Sequence, residues 1–382
     1  MKRVIKLLGR YLRLGDTLLM VLCLAAAVFG MVILYSVTRS FETQRYMLVQ
    51  GAATVLGLGL FVLFSLVDPD ALTDRWYLLL GVSLLLLATL RFWGVEGDTG
   101  NRSWLRFGGV GIQPAEVVKL SFTLLLARQL DRLRGSRRGV SGFGSIIQLT
   151  AHFALIFGLI VVLSSDMGSA LVFLFIFAAM CFAGGVRFYW FLAAGALAAL
   201  AAPVLWTRFL SQYHRDRILA LFYPDLVDPD GLGITWQVRQ SKLALASGGL
   251  KGQGYLRGLR AQGELLPFKH TDFIFSVAGE ELGLIGCAAI ILLLTVIILR
   301  VLIVGMRSGS YRDMLLCVGF AGLLTFQTFE NIGMCAGVTP VVGITLPFFS
   351  YGGSSLVTCF AAMGFVSGVR LRQKGREESQ RL

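Results

Sequence analysis

The chain has 382 residues, of which 56% are hydrophobic and 15% charged, with a mean hydropathy of +0.74. Soluble domains carry about 25% charged residues, so a single water-soluble core is excluded as the main architecture. The formal net charge of +13 does not point to nucleic acid, because the basic residues gather at the ends of apolar runs, where they set membrane topology and meet anionic head groups of membrane lipids.

A basic start (Lys2, Arg3, Lys6, Arg10, Arg13) leads into an apolar run from Thr17 to Val37. A run of ~20 residues is long enough to stay as a membrane span rather than be cleaved as a signal peptide. Similar windows follow at about 46–67, 75–92, 113–130, 145–163, 167–185, 188–206, 273–300, 313–336 and 353–370. The runs are continuous rather than alternating, which predicts helices and not barrel strands. The expected fold class is all-α: a polytopic membrane protein of about ten transmembrane helices, forming one membrane domain over 1–382. Arg128, Arg132, Arg134, Arg137 and Arg138 follow the fourth span, and Arg300, Arg307 and Arg312 the eighth. Arg370, Arg372, Lys374, Arg376 and Arg381 follow the tenth. Basic short loops stay in the cytoplasm, so both termini are expected inside. A large external loop is then expected at about 207–272, between the seventh and eighth spans, and a cytoplasmic tail at about 371–382, with Gln373–Leu382 expected to be disordered. Cys23, Cys181, Cys287, Cys317, Cys335 and Cys359 lie in or beside apolar runs without ligand spacing, and read as small packing residues.

Ionisable residues within spans are costly and therefore informative. Glu116 and Lys119 share one face of the fourth span, either as a buried ion pair or as part of a polar site. Asp166 divides two spans, as a helix cap or a site residue. Glu280 and Glu281 point about 100° apart, which favours structural pairing for at least one. The glycines between Gly248 and Gly254 either bend a loop or meet phosphate oxygens. Asp272 stands where the external loop enters the eighth span, as a cap or a reactive carboxylate, with His270 beside it. Arg102, Trp104 and Gln113 flank the fourth span, and a Trp there also suits interfacial anchoring. The uncharged, Gly- and Pro-broken stretch from Asn331 to Ser355 reads as backbone at membrane depth, buried or lining a cavity.

Four stretches together resemble the SEDS (shape, elongation, division, sporulation) family over roughly 15–370. They are Asn101–Lys119 with Gln113-Pro114-Ala115-Glu116, the region from Trp236 to Ser241, His270-Thr271-Asp272-Phe273 through Gly283, and Pro347 to Ser355. The segment Gln240–Leu250 is more similar to RodA, the elongation member, than to FtsW, the division member. Phe268 after Pro267 and Ser165 before Asp166 depart from the family pattern.

The resemblance implies polymerisation of lipid II into β-1,4 glycan on the outer face of the cytoplasmic membrane, with inversion. It implies Asp272 as general base. Lys119, Arg102, Trp104, Gln113, Glu116, Asp166, Lys242, Lys269, His270 and Ser354 are the implied substrate-binding residues, with Lys119 expected in one cavity with Asp272 or Asp166. A divalent cation (Mg2+ or Mn2+) could share the pyrophosphate, though no metal ligands are assigned. The implied partner is a class B penicillin-binding protein. The alternatives are a lipid-linked precursor flippase and a non-catalytic scaffold.

Overall fold

The computed structural model describes residues 15–39, 44–95, 101–107 and 110–381; the basic start lies outside the described residues. Helices stand at every predicted place. In chain order they are α1 (Thr17–Arg39), α2 (Arg45–Leu66), the short α3 (Pro69–Asp74), α4 (Trp76–Trp93), α5 (Pro114–Arg134), α6 (Phe143–Ser164), α7 (Met167–Ala183) and α8 (Phe188–Val204). The long loop then holds α9 (Gln212–Phe222), α10 (Pro224–Val227), α11 (Trp236–Gly248) and α12 (Leu259–Gln262). The last three long helices are α13 (Ile274–Met306), α14 (Tyr311–Ala336) and α15 (Gly353–Arg381).

Among the described residues, eight helices are long and apolar enough to cross a membrane. The two that fall short do so for clear reasons. Helix α5 carries Glu116, Lys119 and a charged end at Arg128, Asp131, Arg132 and Arg134, and α7 has only 17 residues. Both pack against the largely buried α14. Helix α8 differs: none of its residues is buried, and after Pro203 it loosens into a π turn at Leu205–Phe209. Proline removes a ladder donor, which accounts for the loosening.

Three features depart from expectation. A short antiparallel hairpin, β1 (Leu105–Phe107) with β2 (Val110–Ile112), precedes α5. The tail expected to be disordered continues α15 as helix through Arg381. Helix α13 is broken at Gly283, whose φ of 68° and ψ of −164° are not helical.

That break explains the glycine-rich turn. The Gln253 and Gly254 N–H groups donate to the Glu280 and Glu281 carbonyls at 2.9 and 3.1 Å, and Leu284 N–H donates to the Gly249 carbonyl at 2.9 Å. The turn thus takes up backbone groups freed by the kink, as a broken helix at membrane depth requires. The approach leaves no room for side chains: a Cβ on Gly252 would sit 2.1 Å from the Glu281 carbonyl oxygen. Two of the turn's N–H groups are thus committed to α13, and the turn serves packing rather than a phosphate.

The stretch between α14 and α15 turns back into the protein. Leu346, Phe348 and Phe349 are buried, and Gly30 of α1 lets the chain pass so closely that a Cβ there would be 2.6 Å from Phe349 Cα. Gln50 of α2 brackets its end, donating to the Ser350 carbonyl at 3.0 Å and accepting from Gly352 N–H at 3.2 Å.

Ion pairs collect at the end of the bundle opposite the long loop. Asp16 is paired with Arg300 at 3.0 Å and Arg370 at 2.8 Å, joining α1, α13 and α15. Asp313 meets Arg372 at 2.7 Å, and Arg312 meets Asp70 and Asp131.

Candidate active site

Four helices begin at the loop-bearing end, each with a motif residue at its start. Gln113 precedes α5, Asp166 caps α7, Asp272 and Phe273 precede α13, and Ser354 lies in the first turn of α15. Helix starts present unpaired N–H groups and the positive end of the helix dipole, a setting that favours anions.

Three of these residues are in direct contact. Asp166 Oδ1 accepts from Ser169 N–H at 2.9 Å, the predicted cap, while Oδ2 accepts from Ser169 Oγ and from Gln113 Nε2, both at 2.8 Å. Ser354 Oγ accepts from Gln113 N–H at 3.3 Å. Asp166 therefore caps α7, and Gln113, bonded to both Asp166 and Ser354, ties three helix starts together.

Asp272 lies in a cradle formed by the re-entrant stretch. Its neighbours pair with the far end of that stretch: Tyr351 N–H donates to the His270 carbonyl at 2.9 Å, and Ser350 Oγ–H to the Thr271 carbonyl at 2.6 Å. The carboxylate faces Gly343, where Oδ2 is 3.6 Å from the position a Cβ would take. Gly343 has φ +73°, which suits glycine, and any side chain would crowd the acid. Asp272 keeps part of its surface open, yet protein walls surround its carboxyl. This desolvation pushes its pKa up from 3.8 to about 6. A hydrogen bond from Thr271 and the nearby Arg217 charge pull the other way, and the Asp166 charge adds to the rise.

Arg217 is the site residue that the sequence reading missed. It stands on α9, donates to the Val341 carbonyl at 2.6 Å and lies 4.5 Å above the Tyr213 ring. It also lines a cavity of about 320 Å³ between α9, α11 and the start of the re-entrant stretch, together with Arg239, Lys242 and Val341. Basic residues in a long loop carry no topology signal and are easily discounted. The i,i+4 pair of Tyr213 and Arg217 on a short amphipathic helix was the available clue.

Other predicted site residues lie elsewhere. Lys119 is buried rather than facing lipid, and its ammonium is 2.6 Å from the Oε1 of the buried Glu116. The i,i+3 spacing gives the lysine a partner within its own helix. Lys269 is buried and donates to the Ala261 and Gly263 carbonyls at 2.7 Å each, fastening the end of α12. Lys242 belongs to the cavity wall, with its Nζ 3.2 Å from the Cβ position of Gly337, which ends α14. Trp104 packs its ring over Gly111 across the hairpin, and Arg102 is exposed before β1. His270 packs its ring against Tyr46 and Tyr351, at centroid distances of 5.1 and 5.8 Å.

Glu280 and Glu281 are structural. Glu280 accepts from the Arg260 and Ala261 N–H groups at the start of α12, at 3.0 and 2.8 Å. Glu281 accepts from Ser36 Oγ–H of α1 at 2.7 Å and from Gln262 at 2.9 Å. Among the described residues, no group of three or more His, Cys, Asp or Glu is placed to hold a metal ion. The described residues therefore offer no ready-made cage for a cation.

Residues 16–375 match the FtsW/RodA/SpoVE family profile, described as "Cell cycle protein". The chain is 31% identical to the peptidoglycan glycosyltransferase MrdB of Escherichia coli K12 over 366 residues, 94% of each protein. It also resembles a chain of a solved peptidoglycan synthase complex described as coordinating polymerization and crosslinking. That match has a TM-score of 0.79 and 30% identity, covering 94% of this chain and 98% of the other. The crystal structure of the rod shape determining protein RodA from Thermus thermophilus matches with a TM-score of 0.68 and 29% identity, covering 93% and 96%. The chain belongs to the FtsW/RodA/SpoVE family, the SEDS proteins that its four motif stretches resemble.

Proposed function

We propose that this protein polymerises lipid II into β-1,4 glycan strands on the outer face of the cytoplasmic membrane, with Asp272 as the general base. Its class is that of a multi-pass membrane peptidoglycan glycosyltransferase serving cell shape. The observation that carries the residue assignment is Asp272 itself. It is partly open, walled by protein, poised at about pH 6 and set beside a cation at a meeting of helix starts.

The acceptor's 4-hydroxyl attacks the anomeric carbon of the donor sugar. The new C1–O4 bond forms as the bond to the diphosphate oxygen breaks, and inversion follows from attack on the opposite face. Asp272 takes the hydroxyl proton; a base works best with a pKa near the working pH. The lipid diphosphate departs with its electron pair, and Arg217 and the helix starts supply positive potential for it. Mg2+ or Mn2+, if used, would arrive with the diphosphate rather than sit in a protein cage. The lipid-facing surface of α8, with no buried residue, offers an apolar wall for the prenyl chain.

We further propose a class B penicillin-binding protein as partner, since the similar solved chain comes from a complex joining polymerization with crosslinking. The transporter reading fits less well. The converging polar residues lie at one end of the bundle, and the other end is fastened by the ion pairs of Asp16 and Asp313. The test is incubation of the purified protein with lipid II in detergent, with and without a transpeptidase. Glycan strands are expected. No polymer in either arm would return the transporter and scaffold readings to favour.

A further inference from the structure

Asn331 sits on α14 with no surface exposed. Its Nδ2 donates to the Asp272 carbonyl at 2.8 Å and to the Ile344 carbonyl at 2.7 Å. Two carbonyls at these distances require the donor end of the amide to face them, which settles its orientation. The Oδ1 atom has no hydrogen-bond partner among the described residues. Burying an unmet acceptor is costly, so the side chain is kept for its two N–H bonds.

Both accepting carbonyls matter to the base. The α13 ladder begins at the Phe273 carbonyl, which receives Ser276 and Val277 N–H, so the Asp272 carbonyl has no bond within the helix. Beyond Asn331, the weak donor Cys335 Sγ meets it at 3.7 Å. Ile344 follows Gly343, the residue opposite the Asp272 carboxylate. One amide therefore fixes both the residue bearing the acid and the strand facing it.

We propose that Asn331 is a positioning residue for the glycosyl transfer, holding Asp272 at a fixed separation from Gly343 so that the carboxylate meets the acceptor hydroxyl in line. The inference rests on Asp272 being the base. Asn331 touches neither substrate nor reacting atoms and acts through the backbone. Without it, Asp272 and Ile344 separate and water enters beside the carboxylate. Misplacement of about an ångström can cost on the order of 10²-fold in rate. Hydration also removes part of the burial that lifts the Asp272 pKa, so the acidic limb of the rate profile moves to lower pH.

The experiment compares polymerisation of lipid II by wild type, Asn331→Ala, Asn331→Gln and Asp272→Asn, on equal amounts of monodisperse protein, from pH 4.5 to 8. Asn331→Ala is expected to lose about 10- to 100-fold in kcat with little change in KM, and its acidic limb should shift downward. Asn331→Gln keeps the amide but not its reach, and is expected to fold with a smaller loss and the same direction of shift. If Asn331→Ala does not fold, Asn331→Gln decides. A folded variant with wild-type kcat, or with reduced kcat but an unmoved limb, overturns the positioning role. The Asp272→Asn arm separates the two failures. Activity there sinks the base assignment, whereas an inactive Asp272→Asn beside wild-type Asn331 variants sinks only this inference.

Discussion

A general base must be ionised when substrate arrives and still hold a proton at the transition state. Asp272, the proposed base, would reach this compromise by opposition, with burial lifting its pKa while Arg217 and Thr271 restrain the rise. The rate should therefore fall as pH drops through about 6 and be lost well below it, because only the ionised form accepts a proton. Arg217 favours the anion, so Arg217→Ala should move that limb to higher pH and lower the neutral-pH rate about 10-fold or more. A pH–rate series on both proteins checks this; a limb that stays put or moves down removes Arg217 from the site. Lys119 calls for a different test, since it shares a buried pair with Glu116. Lys119→Met should destabilise the protein by about 3–5 kcal/mol, because it leaves a buried carboxylate alone. Adding Glu116→Gln should restore most of the melting temperature, and failure of that rescue would mean Lys119 has a further partner. At this scale the sequence was only partly legible. Asp272 and Asp166 stood out because ionisable residues at or within apolar spans are rare and costly. The bonds of Lys269 to the Ala261 and Gly263 carbonyls were not legible, because nothing in its sequence neighbours shows that the end of α12 lies within its reach.

Among the elements, the α13 break governs how the long loop is mounted. The chain around Gly249–Gly254 pairs with backbone on both sides of Gly283, and Glu280 and Glu281 then reach α12 and Ser36. Gly252→Ala forces a Cβ against the Glu281 carbonyl and places a side chain at φ +79°. Loss of at least 1–3 kcal/mol is expected, roughly the cost of a strained backbone position. Melting of the detergent-solubilised variant measures it, and an unchanged transition would show that the turn does not support the kink. Helix positions were easy to read because continuous apolar runs of ~20 residues have few alternatives. The kink was not, since an isolated glycine in an apolar helix is common, and its meaning depends on a turn some thirty residues earlier. The hairpin before α5 escaped for a related reason: its strands have three residues each, too short to show alternation.

For the whole molecule, the polar architecture is lopsided. Helix starts, Asp272 and the cavity lie at one end, and the Asp16, Asp313 and Arg312 pairs fasten the other. With basic short loops inside, the proposed site would face outward, as the proposed use of a lipid-linked precursor requires. A cysteine introduced at Lys251 should react with an impermeant reagent in intact spheroplasts, and one at Arg137 should not; the reverse pattern would invert the topology. The most direct test of the account compares lipid II polymerisation by purified wild type and Asp272→Asn at pH 7.5. Asparagine keeps the shape and a capping oxygen but cannot take the proton. The account predicts long glycan strands from wild type and a rate lower by about 10²–10⁴-fold from the variant, at unchanged folding. Polymerisation by Asp272→Asn within a few-fold of wild type would contradict it.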